Sequence, residues 1–200
     1  GDFTYMHSLI FRSSKFTFLL LAVISFPILL ETEMILQPWL NMVPAYTVVF
    51  VRLMLCITII DAMGGAFMVA AQSTGRVRFY QSVVGGILLA IVPVSYVVLR
   101  LGAAPWSVFL IHFCVCTVAF FVRLFIIRSM IHLSLYSYFH AVLLRCLYVL
   151  LLAMPLPIGL LYIFPATLWA GISVCFVSVL TISLSSYRVG LAEGERKFIK

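Results

Sequence analysis

Asp61 is the acidic residue that lies deepest inside a long apolar run of this sequence. A charged side chain at the centre of a bilayer costs about 2.5–3.5 kcal/mol on insertion scales, so it is expected to face a cavity or a partner. At about 100° per residue, the same helix face carries Thr47, Thr58, Gly65 and Gln72. Asp61 therefore either binds a coupling cation or substrate in a cavity, or forms an interhelical pair or hydrogen bond.

Three arginines lie in or near apolar runs: Arg52, Arg145 and Arg123. Arg52 is nine residues from Asp61 and points to the opposite side of the helix, so the two cannot pair within it. Arg52 and Arg145 either extend to the interface or contact a phosphate group, because a guanidinium matches phosphate geometry. Arg123 is predicted to mark the cytoplasmic end of its helix.

The stretch from Gln72 to Gln81 is the most polar internal segment and includes Arg76 and Arg78. We interpret it as a cytoplasmic loop. Its two arginines either contact lipid headgroups, including that of a lipid-linked substrate, or serve only to orient the chain in the membrane.

Signatures of enzymes and metal sites are missing from the sequence. It contains no H-E-x-x-H, G-x-S-x-G or P-loop motif. Cys114 and Cys116, with His112 nearby, fall short of the four ligands of a zinc site, so the five cysteines are interpreted as packing residues. We therefore predict no catalytic residue, no metal, no cofactor and no enzymatic activity.

The composition is that of a membrane protein. Of the 200 residues, 64% are apolar and 10% are charged, whereas soluble domains carry about 25% charged residues. A soluble domain of this length could not bury so much apolar surface. The 13 Lys and Arg residues are spread thinly, which argues against nucleic acid as a partner and is typical of loops that face anionic lipid.

Six apolar stretches are long enough to span a bilayer, so the predicted fold is an all-α integral membrane bundle. They cover roughly 16–36, 44–70, 79–100, 105–127, 141–163 and 165–187. The predicted break between the last two depends on Pro155, Pro157 and Pro165, since proline disfavours helix continuation. Pro27 and Pro93 are expected within spans, where neighbouring groups can satisfy the freed carbonyls.

The distribution of basic residues predicts that both termini are cytoplasmic. One side holds most of them, and the other holds Arg100 with Glu31 and Glu33. Residues 1–15 are interpreted as a cytoplasmic interfacial segment, either an amphipathic helix with Phe3, Met6, Leu9 and Ile10 on one side or a loop. Residues 16–188 form the transmembrane part, and residues 189–200 form a cytoplasmic tail.

Several segments resemble bacterial polysaccharide flippases, the O-antigen and capsule family of the multidrug/oligosaccharidyl-lipid/polysaccharide exporter superfamily. They include D-F-T-Y-M-H-S-L-I-F-R-S-S-K-F from Asp2, L-E-T-E-M-I-L-Q-P-W-L from Leu30 and V-P-A-Y-T-V-V-F-V-R-L from Val43. The others are Ile60–Gln81, V-P-V-S-Y from Val92 and the final E-R-K-F-I-K. The resemblance covers nearly the whole chain, most clearly its first 100 residues.

The resemblance implies one lobe of a two-lobed transporter with 12–14 helices in the bacterial inner membrane. The chain would be the C-terminal lobe, preceded by an N-terminal lobe, which agrees with its start at Gly1 rather than at a methionine. The implied substrate is an undecaprenyl-pyrophosphate-linked oligosaccharide, moved from the cytoplasmic to the periplasmic leaflet by alternating access. Glycan polymerase machinery and membrane lipids are the implied partners.

Site roles follow from the same resemblance. The face of Asp61 would line the central cavity, with Asp61 as the candidate site for a driving cation, and Arg52 or Arg145 would meet the pyrophosphate or an acidic sugar. Two alternatives stay open: a cation-coupled multidrug or metabolite exporter of the same superfamily, and a non-transporting membrane scaffold of the glycan assembly machinery.

Overall fold

The computed structural model describes residues 3–40, 42–163 and 168–190, and all regular structure in these ranges is helical. Six helical segments are long and apolar enough to cross a membrane, which confirms the predicted number of spans and the all-α membrane bundle. In chain order they are Tyr5–Leu30, Thr47–Ser73, Val77–Arg100, Ser107–Ile131, Leu135–Tyr162 and Trp169–Gly190, here called the first to sixth spans.

Most spans consist of more than one helix. The helices are α1 (Phe3–Leu30), α2 (Thr32–Leu40), α3 (Thr47–Met63), α4 (Gly65–Ser73), α5 (Val77–Leu89), α6 (Ile91–Arg100), α7 (Ser107–Ile131), α8 (Leu135–Tyr138), α9 (Leu144–Ala153), α10 (Pro155–Ile163) and α11 (Leu168–Ser185). Two turns are π-helical. Phe139–Leu143 joins α8 to α9, and Ser186–Gly190 ends the sixth span.

The fifth span ends at Tyr162, close to the predicted end at residue 163. Pro155 is the first residue of α10 and Pro157 the third, and the fifth span continues through both. At the start of a helix the missing N–H has no carbonyl partner to lose, so proline bends the span without ending it. Pro93 likewise lies in the first turn of α6. The predicted boundary at Pro165 falls outside the described residues.

The first span begins earlier than predicted. The predicted boundary at residue 15 is not a helix end, because α1 runs without interruption from Phe3 to Leu30 and has Pro27 inside it. Ile10, Ser14 and Lys15 are buried in the bundle rather than lying on its surface. The described part of residues 1–15 is helical, so the interpretation of this segment as a loop is wrong.

The first span lies at the centre of the bundle. It packs against the second, fifth and sixth spans, while the fourth span packs between the second and the third. Phe67 joins these groups, because its ring contacts Phe120 of the fourth span and Tyr138 of the fifth at centroid distances of 5.6 and 5.4 Å. Phe11 of the first span meets Tyr138 at 5.6 Å. The third span is the least buried of the six.

Candidate functional site

An ion pair joins the second and fourth spans. Arg123 Nη1 donates to Asp61 Oδ1 over 2.7 Å. Asp61 lies in the last turn of α3, and Arg123 lies eight residues before the end of α7. Both positions are well inside their spans, where each ionised group needs the other to offset the loss of water. The interhelical pair, one of the two interpretations of Asp61, is therefore what the structure contains.

The ion pair lies beside an interruption of the helix in the second span. α3 ends at Met63, and at Gly64 the chain makes tighter hydrogen bonds, from Gly64 N to Asp61 O and from Phe67 N to Gly64 O. A Cβ at Gly64 would lie 2.5 Å from Arg123 Nη1, so the guanidinium occupies space that only glycine leaves free. At Gly65 a Cβ would meet nothing within 4 Å.

The break frees backbone carbonyls, which must find donors inside a membrane. Ser14 of the first span supplies one of them, since its hydroxyl donates to Met63 O over 3.1 Å. The Ser14 side chain is itself 1% exposed, so this bond is sealed within the bundle. The helix break is therefore a stable feature of the packed fold and not an exposed defect.

The ion pair borders an open cleft of about 340 Å³ between the second, third and fourth spans. Its lining consists of Asp61, Gly64, Gly65, Met68, Tyr80, Gln81, Val84, Gly85, Leu88 and Arg123. The Asp61 side chain is 59% exposed and the Arg123 side chain 13%. The Asp61 carboxylate therefore faces the cleft, whereas the Arg123 guanidinium is mostly buried in the wall of the cleft.

Arg123 has a hydrogen-bond donor with no partner among the described residues. Its Nε is buried and has no partner among the described residues, while Nη1 is engaged by Asp61. A guanidinium carries five N–H donors and no acceptor, so the group can accept a further anionic or carbonyl ligand without releasing Asp61. Tyr80 and Gln81 add a hydroxyl and an amide to the same cleft.

The other predicted substrate or cavity residues, Thr58, Gln72, Arg52 and Arg145, do not line this cleft. Thr58 is exposed and donates to Met54 O within its own helix, and Gln72 is exposed near the end of α4. Arg52 donates to Thr32 Oγ1 over 3.3 Å and to Leu30 O over 3.5 Å, at the end of α1. Arg145 is partly buried in α9. Of the predicted candidates, only Asp61 lines the cleft.

Arg52 thus has a structural contact of its own. Its guanidinium meets a carbonyl at the C-terminus of α1, where a cation is favoured by the helix dipole. It faces away from Asp61, as the nine-residue spacing predicts. Arg76 and Arg78 are both exposed at the turn between the second and third spans.

The interpretation of Arg123 as a residue that marks a helix end was wrong. It depended on a fourth span that ended at residue 127, but α7 continues to Ile131 and places Arg123 about 12 Å from that end. The loop from Gln72 to Gln81 was also too long, because α4 ends at Ser73 and α5 begins at Val77. Tyr80 and Gln81 are therefore helical residues of the third span that line the cleft.

The described residues form no group of three His, Cys, Asp or Glu side chains that could hold a metal ion, and the five cysteines, all of which fall within the described ranges, are free thiols. Comparison of the chain with protein-family models, with curated proteins and with solved structures finds no match. The structure by itself establishes a multi-pass membrane protein with an ion pair at a helix break.

Proposed function

We propose that this chain is one lobe of a membrane transporter that moves a lipid-linked oligosaccharide across the bacterial inner membrane. The sequence resemblance to polysaccharide flippases supplies the substrate class. The observation that supports transport is the Asp61–Arg123 pair, which borders an open cleft inside an otherwise apolar bundle. Charged residues within membrane helices are expensive and typically mark the path of an ion or a substrate.

The exposure of the two partners favours a binding role over a purely structural one. A pair that only joins two helices needs no access to a cleft, yet the Asp61 side chain is 59% exposed and lines the cleft. Arg123 lines the cleft, and its guanidinium carries more N–H donors than the one that Asp61 accepts, so it offers a donor to an anionic group on the substrate, such as a pyrophosphate oxygen or an acidic sugar. In this proposal Arg123 takes the role that the sequence assigned to Arg52 or Arg145.

Alternating access would act through the same elements. The third span contributes one wall of the cleft and is the least buried span, and the helix break at Gly64 lies directly beside the pair. Movement of the third span relative to the second and fourth would open or close the cleft. A coupling cation would have to compete with the Arg123 guanidinium for Asp61, which would link cation binding to release of the anion donor.

Complementation of a flippase-deficient strain with the gene for the whole protein tests this function. The wild-type gene is expected to restore surface polysaccharide, and Asp61→Asn to abolish most of that restoration, because the amide keeps the shape but loses the charge that holds Arg123. Glu33→Gln is the matched control. It also replaces a carboxylate with an amide, but at an exposed position in α2 away from the cleft.

Immunoblotting of the membrane fraction must show equal protein for each variant. Full export by Asp61→Asn would remove the pair from the mechanism. Failure of the wild-type gene to restore polysaccharide would contradict the flippase function and favour the exporter or scaffold alternative.

A further inference from the structure

A second cleft lies at the connection between the fourth and fifth spans, away from the cleft beside Asp61. It has a volume of about 530 Å³ and is lined by Arg128, His132, Leu133, Ser134, Leu135 and Tyr136, where the fourth span ends and the fifth begins. It shares no lining residue with the Asp61 cleft. We call it the 128–136 cleft.

The polar groups of this cleft are suited to an anion. Arg128 has only donors, and Tyr136 contributes a hydroxyl. The Ser134 oxygen already accepts from Ser137 N over 3.3 Å and from Ser137 Oγ over 3.0 Å, which leaves its own proton free to donate. His132 adds an imidazole. No carboxylate is among the described residues that line this cleft.

The backbone of the cleft is held in place before any ligand arrives. His132 ends α7 in the left-handed conformation, with φ 54° and ψ 37°. His7 of the first span donates from Nε2 to Ile131 O over 2.9 Å, which ties this end of α7 to the centre of the bundle. Ile131 and Leu133 are 0% and 1% exposed. The backbone that carries these donors therefore needs little ordering to bind a ligand, which favours affinity.

The depth of the cleft matches the level of lipid headgroups. α7 has 25 residues and is about 37 Å long, against a hydrocarbon core of about 30 Å. Arg128 lies in the last turn of this helix, at the same end of the bundle as Arg76 and Arg78. A guanidinium at this depth is placed to reach a phosphate at the membrane surface.

We infer that the 128–136 cleft binds a phosphate group at the membrane surface, with Arg128 as its principal ligand. Arg128, Ser134 and Tyr136 donate to the phosphate oxygens, and His132 lines the same wall. The phosphate belongs either to an anionic lipid or to free inorganic phosphate, and both present the same oxygens. This binding does not depend on the transport function proposed above.

Native mass spectrometry of the full-length protein in detergent, titrated with phosphatidylglycerol, tests the inference. Arg128→Gln is expected to weaken lipid binding about tenfold or more, the effect of one lost charge-assisted hydrogen bond. Arg78→Gln is the matched control, because it removes an exposed arginine from the same end of the bundle and is expected to change binding less than about twofold.

A second variant separates loss of binding from a folding defect of Arg128→Gln. His132→Asn keeps a residue type that tolerates the left-handed backbone and removes the imidazole, so it is expected to weaken binding while the protein stays monodisperse on size exclusion. Equal losses in Arg128→Gln and Arg78→Gln would overturn the inference in favour of nonspecific charge attraction. Unchanged binding in both Arg128→Gln and His132→Asn would also overturn it.

Addition of inorganic phosphate to the lipid-bound wild-type protein distinguishes the two sources. Displacement of phosphatidylglycerol by phosphate, in the wild type and in Arg78→Gln, would assign the site to free phosphate as well as to lipid. Retention of the lipid would assign it to the lipid headgroup. Both results keep the phosphate site and differ only in the molecule that occupies it.

Discussion

Asp61→Ala is expected to lower the free energy of unfolding by about 2–4 kcal/mol, because it leaves the Arg123 guanidinium inside a span without its carboxylate. Loss of one partner of a fully buried pair costs about 3–5 kcal/mol. The expected loss is smaller here because the Asp61 side chain is 59% exposed. The measurement is denaturant unfolding of the full-length protein in mixed micelles.

A double-mutant cycle separates the pair from other effects of the substitution. Arg123→Met alone is expected to be destabilising as well, and the double variant Asp61→Ala with Arg123→Met should lose less than the sum of the two. A coupling energy of about 1–3 kcal/mol is expected for residues in direct contact. Additivity within about 0.5 kcal/mol would show that the ion pair contributes nothing to the fold.

Gly64→Ala is expected to destabilise the protein by about 1–3 kcal/mol and to reduce export, although alanine is the better helix former. The added Cβ would lie 2.5 Å from Arg123 Nη1, and Asp61 O is also close at 3.1 Å. The guanidinium must move, and it is held by the carboxylate that it would have to leave. Unfolding in micelles and surface polysaccharide are measured together.

Gly65→Ala is the matched control for this substitution. It changes the neighbouring glycine of the same helix break, where a Cβ meets nothing within 4 Å. Its free energy of unfolding is expected to change by less than about 0.5 kcal/mol in the destabilising direction. If Gly64→Ala and Gly65→Ala change the free energy of unfolding alike, then the close contact between Gly64 and Arg123 does not matter for stability.

The number of spans and the need of Asp61 for a partner could be predicted from the sequence. Apolar length alone determines which segments can cross a bilayer, and six segments satisfy it in both the sequence and the structure. The cost of a charge in the membrane required that Asp61 have a partner or a cavity. The structure provides both, since Arg123 binds one side of the carboxylate and the cleft exposes the rest.

The identity of that partner could not be predicted, because it depends on where the fourth span ends. Hydropathy placed the end near residue 127, and Arg123 then looked like a flanking charge. The helix continues through Arg128 to Ile131 because Ile126, Ile127 and Ile131 are buried against the bundle. The available signal was the spacing of these isoleucines, which follows a helical period beyond the predicted end.

The helix breaks were also difficult to predict from residue types alone. Gly64 lets the Arg123 side chain of the fourth span approach closely, but the break in the second span at this residue was not expected. Pro155 and Pro157 lie inside the predicted span 141–163, and the structure places both in the first turn of α10, where proline costs little. In each case tertiary contacts decide whether the chain continues in the same direction.

Transfer of the substrate between leaflets is the most direct measurement of the proposed function. The full-length protein, reconstituted into liposomes that carry an undecaprenyl-pyrophosphate-linked oligosaccharide in one leaflet, is expected to deliver it to the opposite leaflet faster than protein-free liposomes do. The Asp61→Asn protein, folded and present in equal amount, is expected to lose most of that activity. Transfer no faster than in protein-free liposomes, or equal transfer by Asp61→Asn, would contradict a translocation function that depends on the Asp61–Arg123 pair.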